Sequence, residues 1–452
     1  MKAKDEDQNL RLFESRLDQI INLKHELCVL AGEIDWSVFE SEFGPCYSEG
    51  QGRPAKPIRL LVGLHYLKHA FDESDESVVD RFLENPYWQY FCGFEYFQHE
   101  FPLDPTTLVK WRRRVGPKGL EKLLAETVDA AKRQGLLRKR ELARVNVDTT
   151  VQEKAIAFPT DARLYEKMRT KLVLAAAERG VKLRQTYVRK GPEALRKQHR
   201  YRHANQHKRA RRMVKRLKNY LGRVVRDIRR KVEKPDEELA ALLATADRLL
   251  TQERTSKGKL YSLHAPEVEC ISKGKAHKKY EFGVKAGLVA TSKNCWIVGA
   301  AAFPGNPYDG HTLAAAMEQA ELIGGVPVKN IHVDKGYRGH NYEGSAKVHI
   351  TGTGGKRITL TERKWRRRRS AVEPVIGHVK HDHRMLRNHL KGSDGDEMNV
   401  LLAACGYNLR KLLRAFFWPG FDGLLSLMGG LLAAAKPISG RRAALTGGAL
   451  VG

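Results

Sequence analysis

Alternating apolar and polar positions predict a series of short β-strands after residue 278 and one further strand before it. Runs of this kind occupy residues 143–150, 278–291, 294–303, 329–334 and 346–350. Between the third and fourth runs, apolar positions at helical spacing predict a helix over residues 311–325, which ends at a pair of glycines. Strands interleaved with a helix predict an α/β sheet covered by helices.

The first 140 residues follow a helical pattern instead. Apolar positions recur every three to four residues in three segments, at 57–71, 76–86 and 104–116. The last segment begins with Asp104 as N-cap and Pro105 at the first helical position, which is a clear start signal. A further apolar stripe over residues 10–27 predicts a helix that either packs on its own domain or joins two chains. We therefore predict an all-helical N-terminal domain over residues 1–140.

Basic residues are concentrated in one segment that interrupts the α/β pattern. The chain holds 81 Lys and Arg against 52 Asp and Glu, a net charge of +29. Residues 163–234 alone hold 26 basic and 5 acidic residues, a surplus of 21. Leu217, Leu221 and Ile228 recur there at helical spacing, which predicts amphipathic helices with a basic face. We interpret residues 161–257 as a basic helical insertion into the α/β domain.

A positive surplus this large indicates a polyanionic partner. Nucleic acid fits best, because each phosphate neutralised by Lys or Arg releases condensed counterions. The alternative partner is an anionic membrane, and the alternative for the basic segment is a solvated helix face. No apolar run approaches the ~20 residues of a membrane-spanning helix, and the charged N-terminus lacks the apolar part of a secretory signal. The six cysteines form no CxxC pair, which argues against a disulfide framework and a zinc ribbon. These features predict a cytoplasmic protein, with a Gly/Ala/Leu-rich tail over residues 416–452.

The segment at 104–116 carries a cluster of basic side chains. Lys110, Arg112, Arg113 and Arg114 are predicted to lie on its surface, as on a helix that enters a DNA groove. The alternative is that they complement the helix dipole at its C-terminal end. We predict DNA contact by Lys110, Arg113 and Arg114, and therefore a DNA-binding or dimerisation role for the N-terminal domain.

Three carboxylates are placed where they could act together. Asp148 and Asp334 each end a predicted strand, and ligands of open α/β sheets bind beyond such strand ends. Glu373 lies in a basic stretch predicted to be helical, RKWRRRRSAVEPVIGHVK. Mg²⁺ takes oxygen ligands of this kind, and two such ions promote phosphoryl transfer by activating one oxygen and stabilising another. We predict that these three acids bind metal while Arg369 and Lys380, on the same helical face as Glu373, hold phosphates.

Each acid also has a purely structural interpretation. Ser370 and Glu373 match a capping box, in which Glu373 satisfies a backbone amide. Asp334 could form a turn after its strand, and Asp148 could cap the end of its own. Pro374 requires the helix to begin near Ser370 or to kink there. The neighbouring histidines do not share one helical face, so contact with solvent or phosphate is predicted rather than a metal site: His378, His381, His383 and His389.

Four motifs occur in the order found in a known family. VDTTVQEKAIAFPTDARLY, FPGNPYDGHTL, VDKGYRG and VEPVIGHVKHDHRMLRNHLKG together resemble the DDE transposases of bacterial insertion sequences. The group that they resemble most carries Y-x2-R-x3-E-x6-K around its catalytic glutamate. Arg369, Glu373 and Lys380 fit this spacing, whereas Arg366 stands at the tyrosine position beside Trp365. RPAKPIRLLVGLHYLKHAF and DPTTLVKWRRRVG also resemble that group's helical N-terminal domain.

The resemblance implies an RNase H-like catalytic domain, formed by residues 141–160 and 258–415, with Asp148, Asp334 and Glu373 as its metal-binding catalytic triad. The implied cofactor is Mg²⁺, with Mn²⁺ as a substitute. Family members bind terminal inverted repeats and hydrolyse a strand there, and the freed 3′-hydroxyl attacks target DNA without a covalent enzyme intermediate. Tyr337 and Arg338 are expected to contact DNA. The implied partners are double-stranded DNA and further copies of the chain, in a homodimer or larger synaptic complex at the bacterial nucleoid.

Two other functions use the same sequence features. A structure-selective nuclease, such as a junction resolvase, would need the three carboxylates but no sequence-specific N-terminal domain. A DNA-binding protein descended from a transposase and no longer catalytic is expected to have lost one of the acids, and all three are present.

Overall fold

The computed structural model of the protein describes residues 15–48, 54–101, 103–253, 255–272, 278–352 and 359–417. The start of the apolar stripe predicted at 10–27 and all but the first residues of the predicted tail lie outside these ranges. Within them the chain is a mixed structure of helices and one sheet, as the sequence pattern predicted. None of the helices in these ranges is long and apolar enough to cross a membrane.

The N-terminal third is helical, and the three segments predicted there are confirmed as helices. In the described residues eight α-helices precede the first strand: α1 Leu17–Ile20, α2 Glu26–Glu33, α3 Trp36–Phe43, α4 Ile58–Ala70, α5 Asp75–Glu84, α6 Pro86–Phe91, α7 Pro105–Arg133 and α8 Lys139–Leu142. The predicted end of α7 at Gly116 is a kink, because Gly116 takes a left-handed φ of 70° and Pro117 follows. The stripe over residues 10–27 is not one helix, since α1 and α2 are separate.

A buried ion cluster joins α4, α5 and α7. Asp75 accepts hydrogen bonds from Lys68 Nζ at 2.8 Å and from both terminal nitrogens of Arg112 at 2.7 and 2.6 Å. Arg112 also donates to His65 Nε2 at 3.2 Å, so the neutral ring donates its Nδ1 proton to the Leu61 carbonyl. Arg112 was predicted on the surface of α7 with its basic neighbours. That prediction is wrong, because the cluster buries it.

Replacing Asp75 with asparagine is expected to destabilise the fold by about 3–5 kcal/mol at pH 7, because Lys68 and Arg112 would keep buried charges without a counter-ion. Although burial opposes its ionisation, hydrogen bonds from Arg112 and the charge of Lys68 hold the pKa of Asp75 well below its usual range. Burial and Arg112 likewise lower the pKa of His65 to about 3. Thermal unfolding of wild type and variant between pH 7 and pH 3 measures the effect.

Both shifts make the wild-type fold weaker as the pH falls. Below about pH 6.5 the unfolded chain binds a proton at His65 that the folded chain does not bind. Below about pH 4 the same holds for a proton at Asp75. The difference between wild type and Asp75→Asn should therefore narrow below about pH 4. Asp80→Asn, an exposed change on the same helix, should stay within about 0.5 kcal/mol of wild type. Equal stability of Asp75→Asn and Asp80→Asn at pH 7 would contradict the argument.

All five predicted strands are present in the sheet, and two short strands join them. The seven strands in the described residues are β1 Arg144–Lys154, β2 Glu269–Ile271, β3 Glu281–Thr291, β4 Ile297–Phe303, β5 Asn330–Val333, β6 Lys347–Ile350 and β7 Arg387–Asn388. β3 is antiparallel to β1, and β4 and β2 are antiparallel to β3. β5 is parallel to β1, and β6 to β5. The central order is therefore β4–β3–β1–β5–β6.

Four helices separate β1 from β2: α9 Asp161–Glu178, α10 Lys190–His203, α11 His207–Lys231 and α12 Glu237–Thr251. They pack around a buried apolar cluster of their own, which includes Leu172, Leu221 and Leu243. The helices predicted in this segment are confirmed. Its limits as a domain, residues 161–257, stay a prediction.

The last helices bring the N-terminal part and the sheet together. They follow β4, β6 and β7: α13 Leu313–Gly324, α14 Leu360–Arg369, α15 Val372–Asp382 and α16 Gly392–Phe417. On α16, the Asn408 amide donates to the Ile297 carbonyl of β4 at 2.8 Å and accepts from the Ile297 amide at 3.0 Å. One continuous core contains Leu64 of α4, Val147 of β1 and Leu401 of α16. The N-terminal helices thus share the core of the sheet, and the predicted boundary at residue 140 stays a prediction.

Candidate active site

Asp148 and Asp334 lie at the same level of two adjacent parallel strands. The register pairs Asn146 of β1 with His332 of β5, and each aspartate comes two residues later in its own strand direction. The sequence predicted Asp148 at the end of its strand, whereas β1 continues to Lys154. Asp148 is therefore in mid-strand, and its interpretation as a strand-end cap is wrong.

The guanidinium of Arg369 links the three predicted acids. Its Nη2 donates to Asp148 Oδ2 at 2.8 Å and lies 3.8 Å from Asp334 Oδ2. Its Nη1 donates to Glu373 Oε1 at 3.3 Å. The Arg369 side chain is 12% exposed and that of Glu373 64% exposed, so the linked group extends from the sheet toward solvent. Acids from three separate elements thus converge on one cation.

Backbone amides orient the two aspartates. Asp148 Oδ1 accepts from the Thr149 amide at 2.8 Å. Asp334 Oδ1 accepts from the Gly336 amide at 2.8 Å and so caps the 3-10 turn Lys335–Tyr337. The predicted turn after the strand is therefore present, and it leaves Asp334 Oδ2 on the side of Arg369.

The chain breaks between two helices just before Glu373. Ser370 is the C-cap of α14, and its Oγ donates to the Arg367 carbonyl at 2.6 Å. Ala371 is the N-cap of α15 and has no side-chain cap. The predicted break near Ser370 is confirmed, and the capping-box interpretation of Glu373 is wrong. Arg369 and Glu373 therefore meet across the break. The spacing had suggested that they share one helix, which they do not.

Tyr337 lies beneath the acids, which corrects its predicted contact with DNA. Its side chain is completely buried. Its hydroxyl proton has no acceptor in the part of the chain that the structure describes, although the Thr312 side chain is near enough to donate to the phenol oxygen. Burial raises the pKa of the phenol above its usual range, and the negative charges of Asp148 and Asp309 raise it further. The hydroxyl end of the ring is thus close to the carboxylates.

Asp309 is a fourth carboxylate at this place, and the sequence interpretation gave it no role. It begins the 3-10 turn Asp309–Thr312 between β4 and α13. Its Oδ1 accepts from Thr149 Oγ1 at 2.9 Å and from Lys285 Nζ at 2.7 Å. The signal available in the sequence was its position in FPGNPYDGHTL, one of the four motifs that carry the family resemblance.

The other predicted contact residues fall into two groups. Lys380 is half-buried on α15, two turns after Glu373, and Arg338 is exposed beyond the turn that Asp334 caps. Three exposed side chains form a separate basic cluster before the kink of α7: Lys110, Arg113 and Arg114. The structure therefore brings the acids together with Arg369 and leaves the α7 cluster as a second surface.

One histidine prediction needs correction. His383 is buried, and its Nδ1 is 2.8 Å from the His69 carbonyl. It therefore packs α15 against α4 and does not contact solvent or phosphate. His378 is half exposed and pairs with Asp382 at 2.7 Å.

The hairpin of α10 and α11 is a third surface of interest. Residues 194–226 contain 13 Lys and Arg and no Asp or Glu, and 12 of the 13 are exposed. Acids occur only toward the two ends of the hairpin, where Lys197 pairs with Glu193 on α10, and Arg229 with Asp247 and Lys231 with Asp227 at the end of α11. Positive charge therefore lacks local compensation in the half of the hairpin nearer its turn, as expected of a surface that binds phosphates.

The donor atoms at the acidic site suit a hard divalent cation such as Mg²⁺ or Mn²⁺, because all are carboxylate oxygens. The buried Tyr337 hydroxyl fits the same interpretation, since its proton has no acceptor among the described residues and needs a polar neighbour. Among the described residues no three of His, Cys, Asp and Glu are grouped closely enough to hold a metal ion. The acids surround Arg369 instead, so a bound cation would compete with the guanidinium for the same oxygens.

Two parts of the chain match known families. Residues 15–114 match the family described as Transposase domain (DUF772), and residues 249–409 match the Transposase DDE domain. The second match includes Asp334 and Glu373, and Asp148 lies before it. The chain is 55% identical over 195 residues to a Rhizobium meliloti protein named "Uncharacterized protein ORF8 in nfe locus", covering 43% of this chain and 94% of that protein. No solved structure matches the chain.

Proposed function

This chain belongs to the DDE-type transposases of insertion sequences, and from that premise we propose that it binds the terminal repeats of its element, cleaves DNA there and joins the freed 3′-hydroxyl to a target. One observation carries the proposal. Acids from β1, from the end of β5 and from α15 converge on the guanidinium of Arg369. No structural need of the helix cap or the strand end explains that convergence.

The sheet supports an RNase H-like assignment for residues 141–160 and 258–415. Its central order places three antiparallel strands before two parallel ones. Asp148 and Asp334 come from the two strands at the change of direction, β1 and β5, where their register sets them side by side. The insertion of α9 to α12 then accounts for most of the interval between the two aspartates.

Asp148, Asp334 and Glu373 would hold Mg²⁺, or Mn²⁺ in its place. When bound, such ions supply activation of the attacking oxygen and stabilisation of the leaving oxygen. Arg369 offsets one of the three negative charges of the acids, and a DNA phosphate offers its guanidinium an equivalent two-oxygen partner. We propose that the Arg369 guanidinium leaves the carboxylates and binds a DNA phosphate instead, which would free the acidic oxygens as DNA enters.

Lys380→Ala is expected to reduce strand transfer by about tenfold, because the ammonium would no longer position a phosphate beside Glu373. The slope of log affinity against log salt concentration for end binding should decrease in magnitude by about one, as expected when one phosphate is no longer neutralised. Strand transfer with oligonucleotide ends and binding at several salt concentrations measure the two effects. Lys391→Ala, an exposed change after the same helix, is the matched control. Unchanged binding and transfer in Lys380→Ala would remove Lys380 from the site.

DNA would reach the acids over basic surfaces. Arg338 follows the turn that Asp334 caps, and Lys380 lies two turns after Glu373 on α15, and we propose that both follow the DNA backbone. The α7 cluster of Lys110, Arg113 and Arg114 is proposed to contact the terminal repeat, and the α10–α11 hairpin the adjoining duplex. Holding two ends at once requires two copies or more, so we propose a homodimer or larger synaptic complex that acts on DNA in the bacterial cytoplasm.

The test is excision in cells. The gene is supplied beside a marker flanked by its own genomic borders, and rejoined donor sites and new insertions are sequenced. Border-dependent excision or insertion is the expected result. Binding to the borders without either product would identify a non-catalytic DNA-binding protein, and cleavage of branched DNA without borders would identify a structure-selective nuclease. The match of residues 15–114 to a transposase domain favours the first outcome.

A further inference from the structure

Asp309 is tied to the acidic site from two strands. Thr149, the neighbour of Asp148 on β1, donates its hydroxyl to Asp309 Oδ1 at 2.9 Å. Lys285 of β3 donates to the same oxygen at 2.7 Å and to the Pro307 carbonyl. The Lys285 side chain is only 8% exposed. A lysine this deeply buried is retained where it is paired, so Lys285 and Thr149 together fix the position of Asp309 Oδ1.

The second oxygen of Asp309 lies beside Asp334. A Cβ atom placed on Gly336 would be 3.2 Å from Asp309 Oδ2 and 3.0 Å from Asp334 Oδ1. Both carboxylates therefore approach the same space beside Gly336, and a side chain at this position would shift at least one of them by a few tenths of an ångström. Because Oδ1 is engaged by Thr149 and Lys285, Oδ2 is the oxygen directed at this shared space.

An independent feature indicates that this space receives a polar ligand. Tyr337 is completely buried, and among the described residues its hydroxyl finds only the Thr312 side chain as a donor and no acceptor for its own proton. Asp148, Asp309 and Asp334 are all close enough to act on the phenol electrostatically. A buried hydroxyl whose proton has no acceptor costs on the order of 1–3 kcal/mol. The cost is recovered if a ligand between the acids, or water carried by it, accepts from the hydroxyl.

We propose that Asp309 is a fourth carboxylate ligand of the divalent cation held by Asp334, an assignment that rests on the proposed function. The cation class follows from the donors, since carboxylate oxygens select hard ions such as Mg²⁺ and Mn²⁺. Lys285 offsets the added negative charge of Asp309 and so reduces its repulsion with the neighbouring acids. Two of the acids, Asp309 and Asp334, lie within contact distance of the same point beside Gly336.

Titration of the purified full chain with Mn²⁺ by calorimetry tests this assignment without any catalytic readout. Asp309→Asn is expected to weaken Mn²⁺ binding by about 10- to 100-fold. Because this change leaves Lys285 buried without its carboxylate, the double variant Asp309→Asn, Lys285→Met is measured beside it. The double variant removes both charges and should bind Mn²⁺ as weakly as the single one. Glu343→Gln, an exposed acid nine residues after Asp334, should bind like wild type.

Asp334→Asn separates failure of this inference from failure of the proposed function. If Asp334→Asn weakens Mn²⁺ binding while both Asp309 variants bind like wild type, Asp309 is not a ligand and the proposed function stands. If Asp334→Asn also binds like wild type, the acids do not form a metal site and the proposed function fails with it. Weak binding in all three, with Glu343→Gln unaffected, supports the assignment.

Discussion

Asp334→Asn is expected to abolish excision and strand cleavage while the protein still binds its borders. The amide keeps the size of the side chain and still accepts from the Gly336 amide, so the turn Lys335–Tyr337 should persist. It removes one negative charge from a site that would hold divalent ions, and such electrostatic losses cost on the order of 10²- to 10³-fold in rate. Basic surfaces on α7 and on the α10–α11 hairpin are unchanged, so border binding should be retained.

Cleavage of an end-labelled border fragment gives the rate, and gel shift of the same fragment gives the affinity. Asp148→Asn should lose as much activity as Asp334→Asn. The double variant should be little worse than either, because residues that act as a unit do not contribute additively. Glu343→Gln, which changes an exposed acid nine residues after Asp334, should cleave normally. Asp334→Asn that cleaves at the wild-type rate would show that the three acids are not catalytic.

The strands and helices were largely predictable because each carries a short, self-contained pattern. The strand predicted at 143–150 is the informative error. β1 runs to Lys154 because its last residues pair with β3 and β7. Two of them are polar and buried: Gln152 donates to the Asp396 carbonyl, and Lys154 pairs with the Asp396 side chain. Polar residues paired by tertiary contacts are indistinguishable from a loop in the sequence.

The acids could be singled out one by one, but their arrangement could not. Alternation of apolar residues places an aspartate near a strand end, yet the register that aligns Asp148 with Asp334 is set by packing of the sheet. Helical spacing linked Arg369 with Glu373 on one face, whereas a helix break brings them together. Tyr337 follows a turn motif typical of a surface residue, and only the fold shows that it is buried. Burial and register are tertiary properties, so these errors share one cause.

The triple variant Arg211→Gln, Arg212→Gln, Lys215→Gln removes three positive charges near the turn of the α10–α11 hairpin. It is expected to weaken DNA binding on the order of 10²-fold at about 0.1 M salt. Arg211, Arg212 and Lys215 share one exposed face of α11, and none of them is paired with an acid in the described residues. Each phosphate that is no longer neutralised should reduce the slope of log affinity against log salt by about 0.9, hence by about 2.7 for three glutamines. Titration of a duplex from about 50 to 200 mM salt measures both quantities.

The matched control removes three exposed lysines outside the hairpin, at positions 24, 122 and 139. Both variants lower the net charge equally, so a general effect of charge on binding would appear in both. If the hairpin holds the duplex, only the hairpin variant should show a smaller slope of log affinity against log salt. The decrease should be the same on border and unrelated DNA, because phosphate contacts carry no sequence information. Cleavage of pre-bound ends should remain, since the acids belong to other elements of the fold. Equal slopes for the two variants would instead mean that the surplus positive charge of the hairpin faces solvent and that DNA reaches the acids by another surface.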